Sequence, residues 1–292
     1  MYMLALHPQT GKHYLPKSGL FSKRYMFLLS GLLVLVAASC QPKKQPPGTV
    51  AATQPLASLP AAEKILSKNR RFVYAVRWEA AKTKTAVLDT VTMTAAGTPC
   101  PFEATQTCFE WLFRADTVWP AGFRGSVGAV ENAKEFWIHP PRYGRYRILE
   151  LNPFPYLKLP AVSGRKWDWE VYASAYYADP AWAHWKGTVR VKFRYVLGGA
   201  VQLATPLGRL RCTRIQASGT SRLGTTALEA FFHPDYGFVQ LNYRNIDASR
   251  TQLKMVAVDV RPESSERILN QFLRLPQPDS GLSRASSEPA AR

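Results

Sequence analysis

From residue 72 onward, apolar and polar positions alternate in short runs with a period of two. Phe72, Tyr74, Val76 and Trp78 alternate with smaller or polar residues, which is the spacing of a half-buried strand. Thr85 to Ala95 repeats the pattern, with Val87, Val91 and Met93 on one parity and Thr90, Thr92 and Thr94 on the other. Phe109, Trp111 and Phe113 alternate again after a Pro-rich loop. The middle is less regular. Phe136-Trp-Ile-His-Pro-Pro-Arg142 must break at its Pro pair, because proline supplies no ladder N–H. Tyr146 to Leu151 reads as a strand, and Asn152 to Pro160 as an extended connection. Trp167 to Tyr177 and Gly187 to Leu197 read as a pair of strands joined through residues 179–185.

The last third is the clearest. Gly208 to Ser218, Thr225 to Phe232, Phe238 to Ile246 and Thr251 to Val260 are strand-like and separated by short turns. Links this short permit antiparallel neighbours, whereas parallel pairing needs a long crossover. Within Gly208 to Ser218 the apolar parity shifts between Cys212 and Ile215, as a β-bulge would make it do. The expected fold is therefore all-β: an antiparallel meander forming a curved sheet, open barrel or sandwich, with minor short helices. It occupies residues 63–260 as a single domain. Ile268, Leu269, Phe272 and Leu273 fit a short amphipathic helix over 261–275. Residues 276–292 are Ser, Pro, Ala and Arg rich, a composition expected to be disordered.

The N-terminal end has another character. Residues 1–39 contain Lys12, Lys17, Lys23 and Arg24 but no Asp or Glu, and Met26 to Ala38 is an apolar run. A membrane-spanning helix needs about 20 apolar residues, so this run is too short to span but suits the core of a signal peptide. It ends Val36-Ala37-Ala38-Ser39-Cys40. That ending resembles the lipobox of bacterial lipoproteins. The resemblance implies cleavage before Cys40, a diacylglycerol on its thiol and acylation of the new amine. Ala37 departs from the Leu that family prefers three residues before the Cys, and Ala37-Ala38-Ser39 also suits ordinary signal cleavage. Residues 40–62 are rich in Pro, Ala, Thr and Lys. They read as a flexible tether of roughly 70 Å full reach at about 3.1 Å per residue. Gln41 follows the Cys in place of the Asp that retains similar lipoproteins at the inner membrane. The expected location is the outer membrane, facing the periplasm.

Charge and cysteines sharpen this. The chain of 292 residues carries a formal net charge of +18, and loss of residues 1–39 removes four bases and no acids, leaving +14. A basic protein in an envelope meets anionic lipid headgroups and acidic glycans; nucleic acid is not an expected partner there. Cys100 and Cys108 bracket one loop, and in an oxidising compartment they are expected to form a disulfide contributing about 2.5 kcal/mol. Two cysteines alone do not make a zinc site, and no metal or cofactor is expected. Cys212 reads as a buried small hydrophobe.

Candidate chemistry is sparse. His233 and Asp235 are close, but no Ser lies in a Gly-x-Ser-x-Gly elbow, and the segment reads as a Pro-Asp turn with Gly237 at positive φ. No catalytic residue is nominated. Trp167 and Trp169 share one strand face, and Trp182 and Trp185 follow in the next loop. They are either a ligand platform for a sugar or acyl chain or the core of a curved sheet. Arg190, Lys192 and Arg194 alternate with Val189, Val191, Phe193 and Tyr195. They form either a cationic face for anionic headgroups or a solvated face that resists association. Arg209 and Arg211 continue the stripe.

Gly208 and Cys212, then Gly224 to Val239 with its Phe-Phe-His-Pro-Asp-Tyr-Gly-Phe-Val ending, then Tyr243 and Asp247 resemble the C-terminal part of a family of bacterial envelope proteins of unknown function. The resemblance covers about residues 165–260 and rests on structural turns. It implies a curved sheet or open barrel and supplies no activity to carry over. The functional expectation is a non-enzymatic lipid-anchored envelope protein that binds an amphiphile or glycan, or serves an envelope assembly with a protein partner. The rival is a periplasmic hydrolase with scattered residues. Metabolic labelling with a fatty-acid analogue tests the anchor: the wild type should be tagged and Cys40→Ser should not, and equal labelling of both would sink it.

Overall fold

The computed structural model describes residues 64–262 except 84, 102 and 114–123, together with Ile268. The signal segment 1–39 with Cys40, the tether 40–62, most of the 261–275 helix and the 276–292 tail lie outside the described residues; Ile268 is helical and buried.

The described chain forms twelve strands. They are β1 Arg70–Glu79, β2 Ala86–Cys100, β3 Glu103–Phe113, β4 Arg124–Glu131, β5 Glu135–Ile138, β6 Tyr156–Lys158, β7 Lys166–Ser174, β8 Thr188–Thr205, β9 Gly208–Ser221, β10 Gly224–His233, β11 Gly237–Arg244 and β12 Arg250–Val260. All lie in one sheet of order β6-β5-β4-β3-β2-β1-β12-β11-β10-β9-β8-β7. Every neighbouring pair is antiparallel. Two meanders of six strands are thus joined through β1 and β12, with Arg70 opposite Val260 and Glu79 opposite Arg250.

This order leaves β6 and β7 as the edges, although they are consecutive in the chain and only residues 159–165 connect them. So short a link forces the sheet to curl until its edges approach. It does so as a half-barrel, and the seam is covered by side chains. The Tyr156 ring of β6 lies 5.8 Å from Trp167, 5.4 Å from Trp169 and 5.6 Å from Tyr195. Phe136, Trp137 and Ile138 of β5 are all buried. That burial on both faces explains their unbroken apolar run.

Phe72, Tyr74, Phe109, Trp111, Phe193, Tyr195, Leu241 and Met255 line the concave side at 1% exposure or less. Each such side chain contributes about 1.5–3 kcal/mol through burial. One end is stoppered by the N-terminal turn: Glu131 accepts the backbone N–H of Ile65 at 2.6 Å and of Leu66 at 2.8 Å. Arg70 donates to the Asp235 carbonyl at 2.7 Å. The convex face of β9 to β12 carries a bonded polar run. Arg214 donates to Glu229, Asn242 donates to the same carboxylate, and Gln240 and Gln252 donate to Asn242.

Several local expectations change. Residues 144–151 form a 3₁₀ segment rather than a strand, because its Tyr, Ile and Leu side chains pack inside the curl instead of alternating across a ladder. Residues 175–177 are also 3₁₀, so the strand ends at Ser174. Tyr156–Lys158 is a short strand inside the expected connection. The irregularity in the β8–β9 pair sits in β8. Leu197 faces Ile215 and Ala200 faces Thr213, leaving Gly198-Gly199 opposite Arg214. β4 was invisible because its glycines carry no pattern: a Cβ at Gly125 would lie 2.0 Å from the Tyr143 ring, and one at Gly128 1.9 Å from the Gln106 amide.

The N-terminal turn meets β2 at Gly97, which has φ +72° and where a Cβ would lie 2.3 Å from the Lys68 backbone nitrogen. Gly97→Ala therefore adds overpacking to a left-handed backbone and should lower stability by about 1–3 kcal/mol. Urea unfolding at matched pH would measure it, and an unchanged midpoint would refute the close approach.

Candidate functional site

The concave side is occupied by the chain itself. Between β5 and β6, residues 139–155 run through the curl with no ladder bonding beyond a single bond from Ile138 to Pro155. Side chains of the surrounding sheet hold this insert by its backbone. Trp111 donates to the His139 carbonyl at 3.1 Å, Thr226 to the Leu151 carbonyl at 2.9 Å and Tyr195 to the Phe154 carbonyl at 3.1 Å. Asn152 of the insert donates to the Arg244 carbonyl at 3.1 Å. Phe154 is fully buried at the centre, its ring 4.8 Å from His139, 5.5 Å from Trp169 and 6.2 Å from Phe193.

The insert brings polar groups into this apolar space. Glu150 has no exposed surface, and neither of its carboxylate oxygens accepts a hydrogen bond among the described residues. Its nearest cation is Arg142, 3.5 Å away, and that guanidinium also lies 4.8 Å over the Tyr177 ring. Burial pushes the Glu150 carboxyl above its ordinary range, and Arg142 pulls it back only in part. His139 has a buried Nδ1 with no partner among the described residues. Burial, helped by Arg142, holds its imidazole well below the usual range, so the ring stays neutral. Asn152 Oδ1, the indole N–H groups of Trp167, Trp182 and Trp185 and the Tyr243 hydroxyl also lack partners. Native interiors leave few such groups unsatisfied. Here they concentrate on the insert and on the walls that face it.

The nominated residues divide. Trp167 and Trp185 are buried at 7% and 3% exposure, and Trp169 and Trp182 are half-buried. Trp167 stacks on Tyr195 at 5.1 Å, and Trp169 is covered by Phe154, Tyr156 and Trp137. Trp167 and Trp169 therefore do not form an open platform, because Phe154 of the insert and Tyr156 of β6 fill the space over them. Arg190, Lys192 and Arg194 do project to solvent, but they are not a free cationic face. Arg190 pairs with Glu170 and Arg194 with Asp168 at 2.9 Å, both acids on β7. Of the three, Lys192 alone has no counter-charge among the described residues. Sequence reading from one strand missed acids supplied by the next.

Cys100 and Cys108 are disulfide-bonded, and with Ala96 they form a small convex-side cluster around Ile268. Cys212 is free and buried, its thiol pushed up to about 11 by burial. His233 accepts the Asp235 backbone N–H at 3.2 Å, and Gly237 has φ +73°, so this segment is a turn. Among the described residues no hydroxyl or thiol is hydrogen-bonded to a histidine ring, and no cluster of three metal-ligating side chains occurs. Phe154, His139, Arg142 and Glu150 were not singled out from sequence. Their signal is broken by Pro140, Pro141, Pro153 and Pro155, which mask a buried segment as a surface connection.

No family model and no curated protein matches the chain. Solved structures of similar fold include a protein described as exported, with a YmcC-like fold, from Bacteroides fragilis. It is 10% identical over 66% of this chain and 96% of that one, with a TM-score of 0.37. A protein described as a lipoprotein from Parabacteroides distasonis is 11% identical over 67% of this chain and 99% of that one, at 0.39. The hypothetical lipoprotein YmcC of Escherichia coli is 10% identical over 65% and 87%, at 0.31. Likenesses at this level leave function to the geometry.

His139 gives a pH test. Its folded pKa is depressed, so its contribution to stability is complete above the unfolded value near 6.5 and is lost as pH falls toward the folded value. The slope it adds is at most about 1.4 kcal/mol per pH unit. His139→Phe, which keeps an aromatic ring beside Phe154, should flatten the fall in urea midpoint between pH 7.5 and pH 5 relative to wild type. Parallel profiles for the two proteins would contradict a buried neutral imidazole.

Proposed function

We propose that this chain is a lipid-anchored protein of the bacterial envelope, held through Cys40 at the periplasmic face of the outer membrane, whose curled sheet accepts the apolar part of an amphiphile. The observation that carries the reading is the insert. An aromatic trough is lined by Trp137, Trp169, Phe193 and Tyr195 and filled by a segment fixed through side chains instead of a ladder. That segment carries buried polar atoms without partners. Moving it outward returns Glu150, Asn152 and His139 to water and exposes apolar walls of the kind that bind small ligands. The energy needed is lowered by the unsatisfied groups, each of which costs about 1–3 kcal/mol while buried. The acyl chain then replaces Phe154 and its neighbours against the same rings.

The test is titration with a brominated long-chain fatty acid, read by quenching of tryptophan. Phe154→Ala vacates the centre of the trough and should bind several-fold more tightly than wild type. Thr226→Val, which frees the Leu151 carbonyl from its anchor, loosens the insert without touching the aromatic walls and should act in the same direction. Absence of saturable quenching in the wild type and in both variants would overturn the reading.

A further inference from the structure

We infer that the tip of the β8–β9 hairpin is a membrane contact of its own, an amphipathic arm that seats on an anionic phospholipid surface. This rests on the reading that the chain resides at a bilayer, and it does not depend on amphiphile binding in the trough.

The arm follows from register. β7 pairs with β8 only as far as Val196, and β10 pairs with β9 only from Thr213 onward. Val201–Thr205 and Gly208–Cys212 therefore pair with each other alone and run beyond both neighbours. The overhang is five residues on each strand, about 17 Å at roughly 3.3 Å per residue. The Gly198-Gly199 irregularity sits at its base, and a Cβ at Gly199 would meet nothing within 4 Å. The arm leaves the sheet there without crowding.

Its two faces differ. Val201, Leu203 and Leu207 lie on one side, half-buried against the core, while Gln202, Arg209 and Arg211 are exposed. The tip itself is Pro206-Leu207, closed by the Thr205 hydroxyl, which accepts the Leu207 N–H at 3.1 Å and donates to the Gly208 carbonyl at 2.8 Å. Hairpin tips ordinarily carry polar residues and glycine; here the tip carries an exposed proline, Pro206, beside a partly exposed leucine, Leu207.

Charge separates this arm from the stripe further down the same strand. Arg190 and Arg194 are neutralised by Glu170 and Asp168, whereas Arg209 and Arg211 have no carboxylate partner among the described residues. The acids at this end are largely engaged. Asp259 pairs with Arg71 and Arg261, Glu131 caps the N-terminal turn, and Glu135 accepts the Tyr156 hydroxyl. Asp235 and Glu103 remain against several exposed bases, including Lys64, Lys134 and Lys166.

Direction supplies the occupant. β2, β4, β6, β8, β10 and β12 all run toward the end where β1 begins, so the arm tip shares an end with Lys64, where the chain enters the fold. Attachment at Cys40 would therefore join the bilayer to the end that carries the arm. Val162 in the β6–β7 link and Val260 at the close of β12 are 58% and 52% exposed at that same end. Apolar tips flanked by unpaired bases suit the boundary between headgroups and acyl chains.

The experiment places an environment-sensitive fluorophore on Leu207→Cys in the full chain reconstituted on vesicles. Cys212 is buried and Cys100 is bonded to Cys108, so neither competes for the label. A second label at Lys186→Cys reports the opposite end, and flotation scores attachment of the protein separately. On vesicles containing phosphatidylglycerol at low salt, the Leu207 label should shift to the blue. It should not shift on phosphatidylcholine alone, and the Lys186 label should be unchanged on both. Arg209→Gln with Arg211→Gln should reduce the ratio of seated to free arm roughly 25-fold, about five-fold per charge. Arg190→Gln with Arg194→Gln should leave it unaltered. A Leu207 label indifferent to lipid charge, or equally shifted after both arm arginines are removed, overturns the inference. Fatty-acid quenching by the trough is read on the same proteins, so failure of one reading is distinguishable from failure of the other.

Discussion

The pairing of β1 with β12 is the constraint on which the architecture depends. It sets the first and last strands side by side in the middle of the sheet and sends both edges to the chain's midpoint. Because β6 and β7 are separated only by residues 159–165, the two edges cannot diverge, and the sheet has to curl. The curl creates a concave side, and the concave side must be filled. Residues 139–155 fill it. Aromatic density, buried polar atoms and the occupied trough are thus successive consequences of one strand pairing.

An open edge is ordinarily a liability, because its unpaired N–H and C=O groups can recruit another chain. Here β6 is three residues long, and its flank is covered by Tyr156 and Trp137 packed on Trp167, Trp169 and Tyr195. The molecule stops short of closing a barrel and seals the gap with rings. Such a seam retains freedom that a continuous ladder would not have, since side-chain contacts can separate without breaking backbone pairing.

Much of the fold was legible because half of it is a regular meander. In β9 to β12, turns fall between well-marked alternating runs, and each strand buries one face. Legibility failed where burial was supplied by something other than the strand's own pattern. β4 depends on Gly125 and Gly128, whose missing side chains are replaced by Tyr143 and Gln106 from elsewhere. Residues 146–151 looked like a strand because Tyr146, Ile148, Leu149 and Leu151 are apolar, yet among the described residues no strand pairs with them. Trp167 and Trp169 stand out by their spacing along one strand, but Phe154 and Tyr156, which cover them, hid among prolines. The basic stripe was seen along one strand, while its counter-charges sit across the ladder on β7, at positions that spacing along a single strand cannot reveal.

The central seam also bears on when the molecule can form. Arg70 must wait for Val260, so the first strand of the sheet is fastened by its twelfth. Each six-strand meander can assemble locally, but neither has a partner for its innermost strand until the other is present. Pairings of such wide sequence separation come late and slowly. A polypeptide built in this way stays unsealed while it is being made, which is the condition required of any chain that must thread through a translocation channel before it folds.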